Sequence, residues 1–150
     1  MTTELPAITV GDSDADTTYP LWREVLREGR PVPRLEDPAG TFHLAARTVD
    51  GQIVGVVRFS PAPCPWVPAR APWQLRGMAT ALATRGTGAG RALVAEGLAR
   101  IAADGGDLVW CDARVPAVGF YERMGFAVVT ELFDKPEGGP HRGMVADLRQ

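Results

Sequence analysis

Between residues 78 and 90 the chain reads Met78-Ala-Thr-Ala-Leu-Ala-Thr-Arg85-Gly86-Thr87-Gly88-Ala89-Gly90. Thirteen residues hold a strand end, a glycine-rich turn and a helix start. The strand pattern begins at Trp73 and runs to Leu82, and the helix continues as Arg91–Ala103, with Val94, Gly97, Leu98 and Ile101 on one small-and-apolar face. Glycines at alternate positions let the backbone turn its N–H groups toward one concave point. The helix that follows adds roughly half a positive charge at its N-terminus. Together they make an anion site suited to phosphate, with Arg85 and Arg91 as flanking ionic contacts. The same glycines also suit a plain tight turn, and the loop alone does not separate the two. No Gly-Lys-Ser/Thr follows, so the loop is not a P-loop. Its G-x-G-x-G spacing, past mid-chain and with no acidic residue at a ribose position, fits a dinucleotide fingerprint poorly.

Outward from this loop the chain alternates strands and helices. Ile8–Val10 starts a strand, Gly11–Thr18 is polar and loop-like, and Tyr19–Arg27 is helical, with Leu21, Trp22, Val25 and Leu26 at helical spacing. Gly29 and Pro31 end that helix. Thr41–Thr48 and Gln52–Ser60 flank Val49-Asp50-Gly51, a hairpin signal. Five prolines between Pro61 and Pro72 exclude helix or central strand there. Leu108–Cys111 is a short apolar run without alternation, the pattern of a strand buried on both faces, as in a parallel pair. Pro116–Met124 reads as a short helix closed by Gly125, Phe126–Phe133 as a strand, Pro136–Pro140 as a turn and Met144–Leu148 as a last short strand. The expected order is βαββ, then β-αβ-αββ, on one mixed sheet, and residues 1–150 read as a single domain without repeats.

Composition narrows the class. Sixteen basic and eighteen acidic side chains give a net charge of −2, which favours neither nucleic acid nor an anionic membrane as partner. Lys135 is the one lysine, a coding bias toward arginine rather than a basic patch. Cys64 and Cys111 form neither a C-x-x-C pair nor a zinc pattern, so no metal and no disulfide framework is expected. The first residues lack a charged n-region followed by an apolar run, and no stretch approaches the ~20 apolar residues of a membrane span. A cytoplasmic protein is the expectation.

Two separated segments resemble the GNAT superfamily of CoA-dependent N-acetyltransferases. Its motif A reads Q/R-x-x-G-x-G/A, matched here by Arg85, Gly88 and Gly90; its motif B is similar to Ala117-Val-Gly-Phe120-Tyr121-Glu-Arg-Met-Gly125-Phe126. The two occur in order, one helix and one buried strand apart. Leu21–Leu26 and Gly139-Pro140-His141 are further similar to the small ElaA-like subgroup. The resemblance implies an α/β (α+β) fold: a mixed, mostly antiparallel central sheet flanked by helices, in which strands 73–82 and 108–111 are parallel neighbours that splay apart. It implies acetyl-CoA as cosubstrate. Its pantetheine arm would lie in the splay on the backbone of Met78, Ala79 and Thr80. Its pyrophosphate would rest on the N–H groups of Arg85, Gly86, Thr87, Gly88, Ala89 and Gly90, with Arg91 beside them.

On this resemblance an amine attacks the acetyl thioester directly, and the protein must supply a neutral amine, a donor to the developing oxyanion and a proton for the departing thiolate. Tyr121 matches the motif B tyrosine near the sulfur and would be the general acid, since a phenol with a pKa near ~10 is protonated at neutral pH. For the base, Glu24, Glu28, His43, Asp112, Glu131 and His141 are candidates, or a water chain; His141 reads as a solvated turn residue and Glu24 and Glu28 as a charged outer helix face. Two positions depart from the family: Arg114 stands where Asn is usual, as a candidate contact to a CoA phosphate, and Leu82 where Pro is common. Cys111 reads as a buried thiol. Trp66, Trp73 and Phe59 suit either an acceptor pocket or the core. The acceptor would be a small-molecule or peptide amine, and a homodimer is a fair expectation at this size. Another acyl-CoA or acceptor on the same fold, or a non-catalytic CoA-binding or interaction domain, are the alternatives.

Overall fold

A computed structural model describes residues 7–27, 37–81, 86–136 and 138–149. Eight strands and three α-helices follow in the order β1 (Ile8–Ser13), α1 (Ala15–Arg27), β2 (Phe42–Thr48), β3 (Ile53–Pro61), β4 (Pro72–Thr80), α2 (Ala89–Ala103), β5 (Leu108–Arg114), a 3-10 turn (Val115–Ala117), α3 (Val118–Arg123), β6 (Ala127–Val128), β7 (Phe133–Lys135) and β8 (Gly139–Asp147). They form one sheet of order β1-β2-β3-β4-β5-β8-β6, with β7 paired to β8. Every pairing is antiparallel except β4 with β5. This is the mixed, mostly antiparallel sheet with one parallel pair that the sequence led us to expect.

The hairpin between β2 and β3 turns where Asp50-Gly51 predicts. Gly51 takes φ +86°, and its N–H donates to Thr48 O at 2.9 Å. Side chains alternate across the two strands. Leu44, Val57 and Phe59 join α2 residues Leu93, Val94 and Ile101 in the larger core, while Ala45 and Val56 join Ala79 under Leu21 and Val25 of α1. Close contact of α2 requires a glycine: a Cβ on Gly97 would fall inside the Phe59 ring. Gly105 at φ +88° ends that helix, and Gly106 N–H donates back to Ile101 O at 2.8 Å.

Three boundaries differ from expectation. Helix α1 starts at Ala15 rather than Tyr19, because Asp14 Oδ1 accepts the Thr17 N–H at 2.7 Å and caps the first turn. Pro20 lies inside this helix. The expected strand 126–133 is broken into β6 and β7. Between them the Thr130 hydroxyl accepts the Gly143 N–H at 2.8 Å, a side chain taking the place of a ladder bond. The last strand is nine residues long and begins at Gly139, not Met144. Gly29, Pro31 and Leu82 lie outside the described residues.

Candidate active site

The parallel pair is short. Pro72, Trp73 and Gln74 pair with Leu108, Val109 and Trp110, and there the pairing ends. Both strands continue, β4 to Thr80 and β5 to Arg114, so an open seam lies between their C-terminal halves. A β-bulge shapes the β4 side. Arg58 pairs with Arg76 and Val56 with Ala79, so Gly77 and Met78 share the space opposite Val57. Gly77 has φ +60°, a left-handed conformation that favours glycine.

Beyond β4 the chain reaches the glycine loop. Gly86 and Gly88 both sit in the left-handed region, at φ +85° and +87°, and a Cβ on either would meet open space. Backbone conformation, not crowding, is what demands glycine there. Gly88 is the N-cap of α2 and provides no side-chain cap, and the first turn holds no acidic residue. The N-cap residue itself thus takes up none of the first turn's N–H groups. Thr87 is half-buried, Ala89 buried, and Arg91 exposed beside them. Arg85 lies outside the described residues.

Gly90 joins three of the sequence motifs. A Cβ there would come within 2.9 Å of Met78 Cε on β4 and 3.5 Å of Phe120 Cζ on α3. Strand β4, the entrance of α2 and the Phe120-Tyr121 helix therefore converge on the seam. Met78 and Thr80 are half-buried. Ala79 is buried in the core under α1, and its backbone stands opposite Val56 of β3.

Tyr121 is 6% exposed, with its ring edge-on to Phe120 and Phe126 at 5.2 and 5.3 Å. Burial pushes its phenol well above the ordinary value, with Cys111 of β5 adding to the shift. The side chain is therefore a protonated phenol throughout the neutral range. Cys111 is 1% exposed, and burial pushes its thiol up too, then Asp112; a neutral buried thiol is not a nucleophile.

The remaining candidates scatter. Glu24 and Glu131 are exposed, and Glu28 lies outside the described residues. Asp112 is salt-bridged to Lys135. His141 corrects the sequence reading: it is not a solvated turn residue but a buried one on β8. Its Nδ1 sits 2.8 Å from Gly139 O and its ring stacks on Phe133 at 6.1 Å. Arg114 is its cross-strand neighbour. Phe59 is fully buried and Trp73 packs on Phe42, so both are core; Trp66 packs edge-on to Trp110 and tilted against Phe133.

His43 gains partners that sequence reasoning missed. Its Nε2 lies 2.9 Å from Asp37 Oδ2, and Arg58 Nη1 donates to Asp37 Oδ1 at 2.8 Å. Burial raises the Asp37 carboxyl, but the His43 hydrogen bond and the Arg58 charge outweigh it and hold it below the usual carboxylate range. His43 stands opposite Arg58 only because the hairpin register shifts between Ala46 and Arg47, which the Asp50-Gly51 turn did not signal. Asp37, from the loop, had no signal either.

Comparison with known proteins agrees with this geometry. Residues 8–126 match the acetyltransferase (GNAT) family. The chain is 33% identical to the uncharacterized N-acetyltransferase YitI of Bacillus subtilis (strain 168) over 97% of both chains. Its fold is similar to Escherichia coli ElaA at a TM-score of 0.75, with 20% identity over 94% of this chain and 100% of that one. It is similar as well to the Escherichia coli GNAT N-acetyltransferase YhbS, solved in complex with CoA, at a TM-score of 0.67 and 22% identity over 99% and 86% of the two chains. With both motifs meeting at one open seam and the match spanning 8–126, this chain belongs to the GNAT family and is an acetyl-CoA-dependent N-acetyltransferase.

Proposed function

We propose that the protein moves the acetyl group of acetyl-CoA to a primary amine of a small molecule or peptide, by direct attack in a ternary complex formed at the β4–β5 seam. The observation that carries this reading is the convergence of Met78, Gly90 and Phe120-Tyr121 where β4 and β5 part.

Each part has a residue suited to it. The α2 entrance, where the N-cap Gly88 brings no side-chain cap, would offer its N–H groups to a pyrophosphate, and Arg91 lies within the same turn. Met78 and Thr80 border the seam where an extended pantetheine arm would add like a strand. At the bulge of Gly77-Met78 the ladder with β3 is interrupted, and a backbone N–H there would meet the thioester oxygen as negative charge develops on it. Tyr121 donates its proton to the departing thiolate. Arg114, at the end of β5, would reach a CoA phosphate.

The test is release of free CoA thiol from acetyl-CoA in the presence of a panel of primary amines. Acetylation that depends on the amine and falls at least about 100-fold in kcat for Tyr121→Phe supports the assignment. An unchanged kcat in that variant removes Tyr121 from the mechanism.

A further inference from the structure

Strands β4 and β5 share one register. Pro72, Trp73 and Gln74 pair with Leu108, Val109 and Trp110, and the same offset, carried past the last pair, sets Arg76 level with Asp112. Both side chains lie on the face away from α2. Leu75, Cys111 and Ala113 point into the α2 core, so Arg76 and Asp112, one residue along, point to the other side. In a closed ladder they would be an opposite-charge cross-strand pair. The splay holds them apart. No ion pair joins them among the described residues, yet the Asp112 charge still acts on Arg76. One charge thus stands on each lip of the open seam.

Neither lip is satisfied within the described chain. Arg76 is exposed to solvent and makes no hydrogen bond or ion pair among the described residues. Its direct partner on β3 is a second arginine, Arg58. Like charges directly opposite each other in a ladder are destabilising. Asp37 pairs with Arg58 alone of the two. Partial burial and then the Arg58 charge pull the Arg76 guanidinium below its ordinary pKa. An anion beside Arg76 would offset that repulsion, and a guanidinium fork fits a carboxylate with two parallel bonds. On the other lip, Asp112 gives Oδ2 to Lys135, while Oδ1 has no partner among the described residues and the side chain is 16% exposed.

The position suits an acceptor. Arg76 directly precedes the bulge at Gly77-Met78. On the opposite face α2 and α3 close over the seam through Gly90, Met78 and Phe120. An amine therefore approaches the thioester across the face that carries Arg76 and Asp112.

We infer that Arg76 and Asp112 determine acceptor specificity: the acceptor is a primary amine that also carries a carboxylate, the carboxylate held by Arg76 and the amino group drawn to Asp112. The inference rests on the acetyl-transfer reading above and names its substrate class.

The experiment measures thiol release by the full chain at saturating acetyl-CoA. The acceptors are the twenty free amino acids, β-alanine and 4-aminobutyrate. For the best of them, two matched analogues follow: its carboxamide, and the diamine in which an ammonium replaces the carboxylate. The expected result is a carboxylate form preferred over both by about 10- to 100-fold in kcat/KM, the worth of one charge-assisted hydrogen bond. Arg76→Gln should bring that ratio near one, and Arg76→Glu should turn it toward the diamine. Asp112→Asn should raise KM for all three acceptors, and an unchanged KM there overturns the role of Asp112. A melt with acetyl-CoA reports whether each variant is folded, and the wild-type ratio needs no variant at all. The inference is overturned if the carboxamide or the diamine equals or exceeds the carboxylate form, or if folded Arg76→Gln keeps the full preference. It is overturned too if no carboxylate-bearing amine is acetylated by a protein that acetyl-CoA still stabilises. Loss of that stabilisation in the wild type would instead overturn the acetyl-transfer reading itself.

Discussion

Strand β5 has two edges with opposite fates. Along one, all seven residues from Leu108 to Arg114 pair with Asp147 to His141 of β8. Along the other, pairing with β4 stops after Trp110. The side chains do not explain the difference. Val109, Cys111 and Ala113 are all buried in the same core, before and after the split. What changes is the neighbouring backbone: β4 bulges at Gly77-Met78, and the glycine loop then carries the chain into α2. A sheet edge held open in the middle of a domain leaves unpaired N–H and C=O groups, which cost free energy unless a ligand uses them. The closed edge serves stability and the open edge serves binding.

Variants on the two edges should therefore differ in kind. The largest effect is expected at Tyr121→Phe, beside the open edge. Its kcat should fall by about 100- to 10,000-fold while its melting temperature and its stabilisation by acetyl-CoA stay near those of the wild type. A melting temperature that drops along with kcat would make Tyr121 a core residue first. Met144→Ala on the closed edge should do the opposite. Met144 is fully buried opposite Cys111, so the truncation should cost about 2–5 kcal/mol in denaturant unfolding. The acetyl-CoA affinity of the molecules that remain folded should not change.

Gly88→Ala probes the entrance of α2. At φ +87° an alanine is strained by about 1–2 kcal/mol, and the displaced N–H groups should weaken acetyl-CoA binding, read by calorimetry. Full affinity in this variant would reduce the loop to a turn. The smallest effect lies far from the seam. The Asp107 carboxylate accepts N–H bonds from Arg70 and Ala71 at 2.8 and 2.9 Å, and these backbone bonds, Ala71's first, hold it below the usual carboxylate range. A depressed folded-state value gives stability above the unfolded value near ~3.9 that is lost as the pH falls through the folded one. Asp107→Asn should flatten the decline of melting temperature below about pH 4 and leave the neutral-pH response to acetyl-CoA intact.

Much of this architecture was legible in the sequence where one local signal dominates. Asp50-Gly51 marked the hairpin, the unbroken apolar run at Leu108–Cys111 marked the strand buried on both faces, and Gly86–Gly90 marked the turn into α2. Legibility failed where a side chain did a backbone's work. Asp14 caps a helix that begins before the apolar spacing from Leu21 does, and the Thr130 hydroxyl holds Gly143 across a strand that was expected to run on to Phe133. His141 looked like a turn residue because Gly-Gly-Pro precedes it, yet β8 begins with that turn and carries the ring into a buried stack on Phe133. The bulge at Gly77 and the Asp37–His43–Arg58 cluster were invisible for another reason. Both depend on register across strands and on a loop residue with no periodicity of its own.

The measurement that tests the open seam most directly is a thermal melt of the wild-type chain with and without about 1 mM acetyl-CoA, with NADH as control. A ligand at ~100 times its Kd adds about 2.7 kcal/mol to the folded state. For a chain of this size that raises Tm by roughly 5–10 °C. The account predicts that shift with acetyl-CoA and none with NADH. No shift with acetyl-CoA, or an equal shift with both, would contradict it.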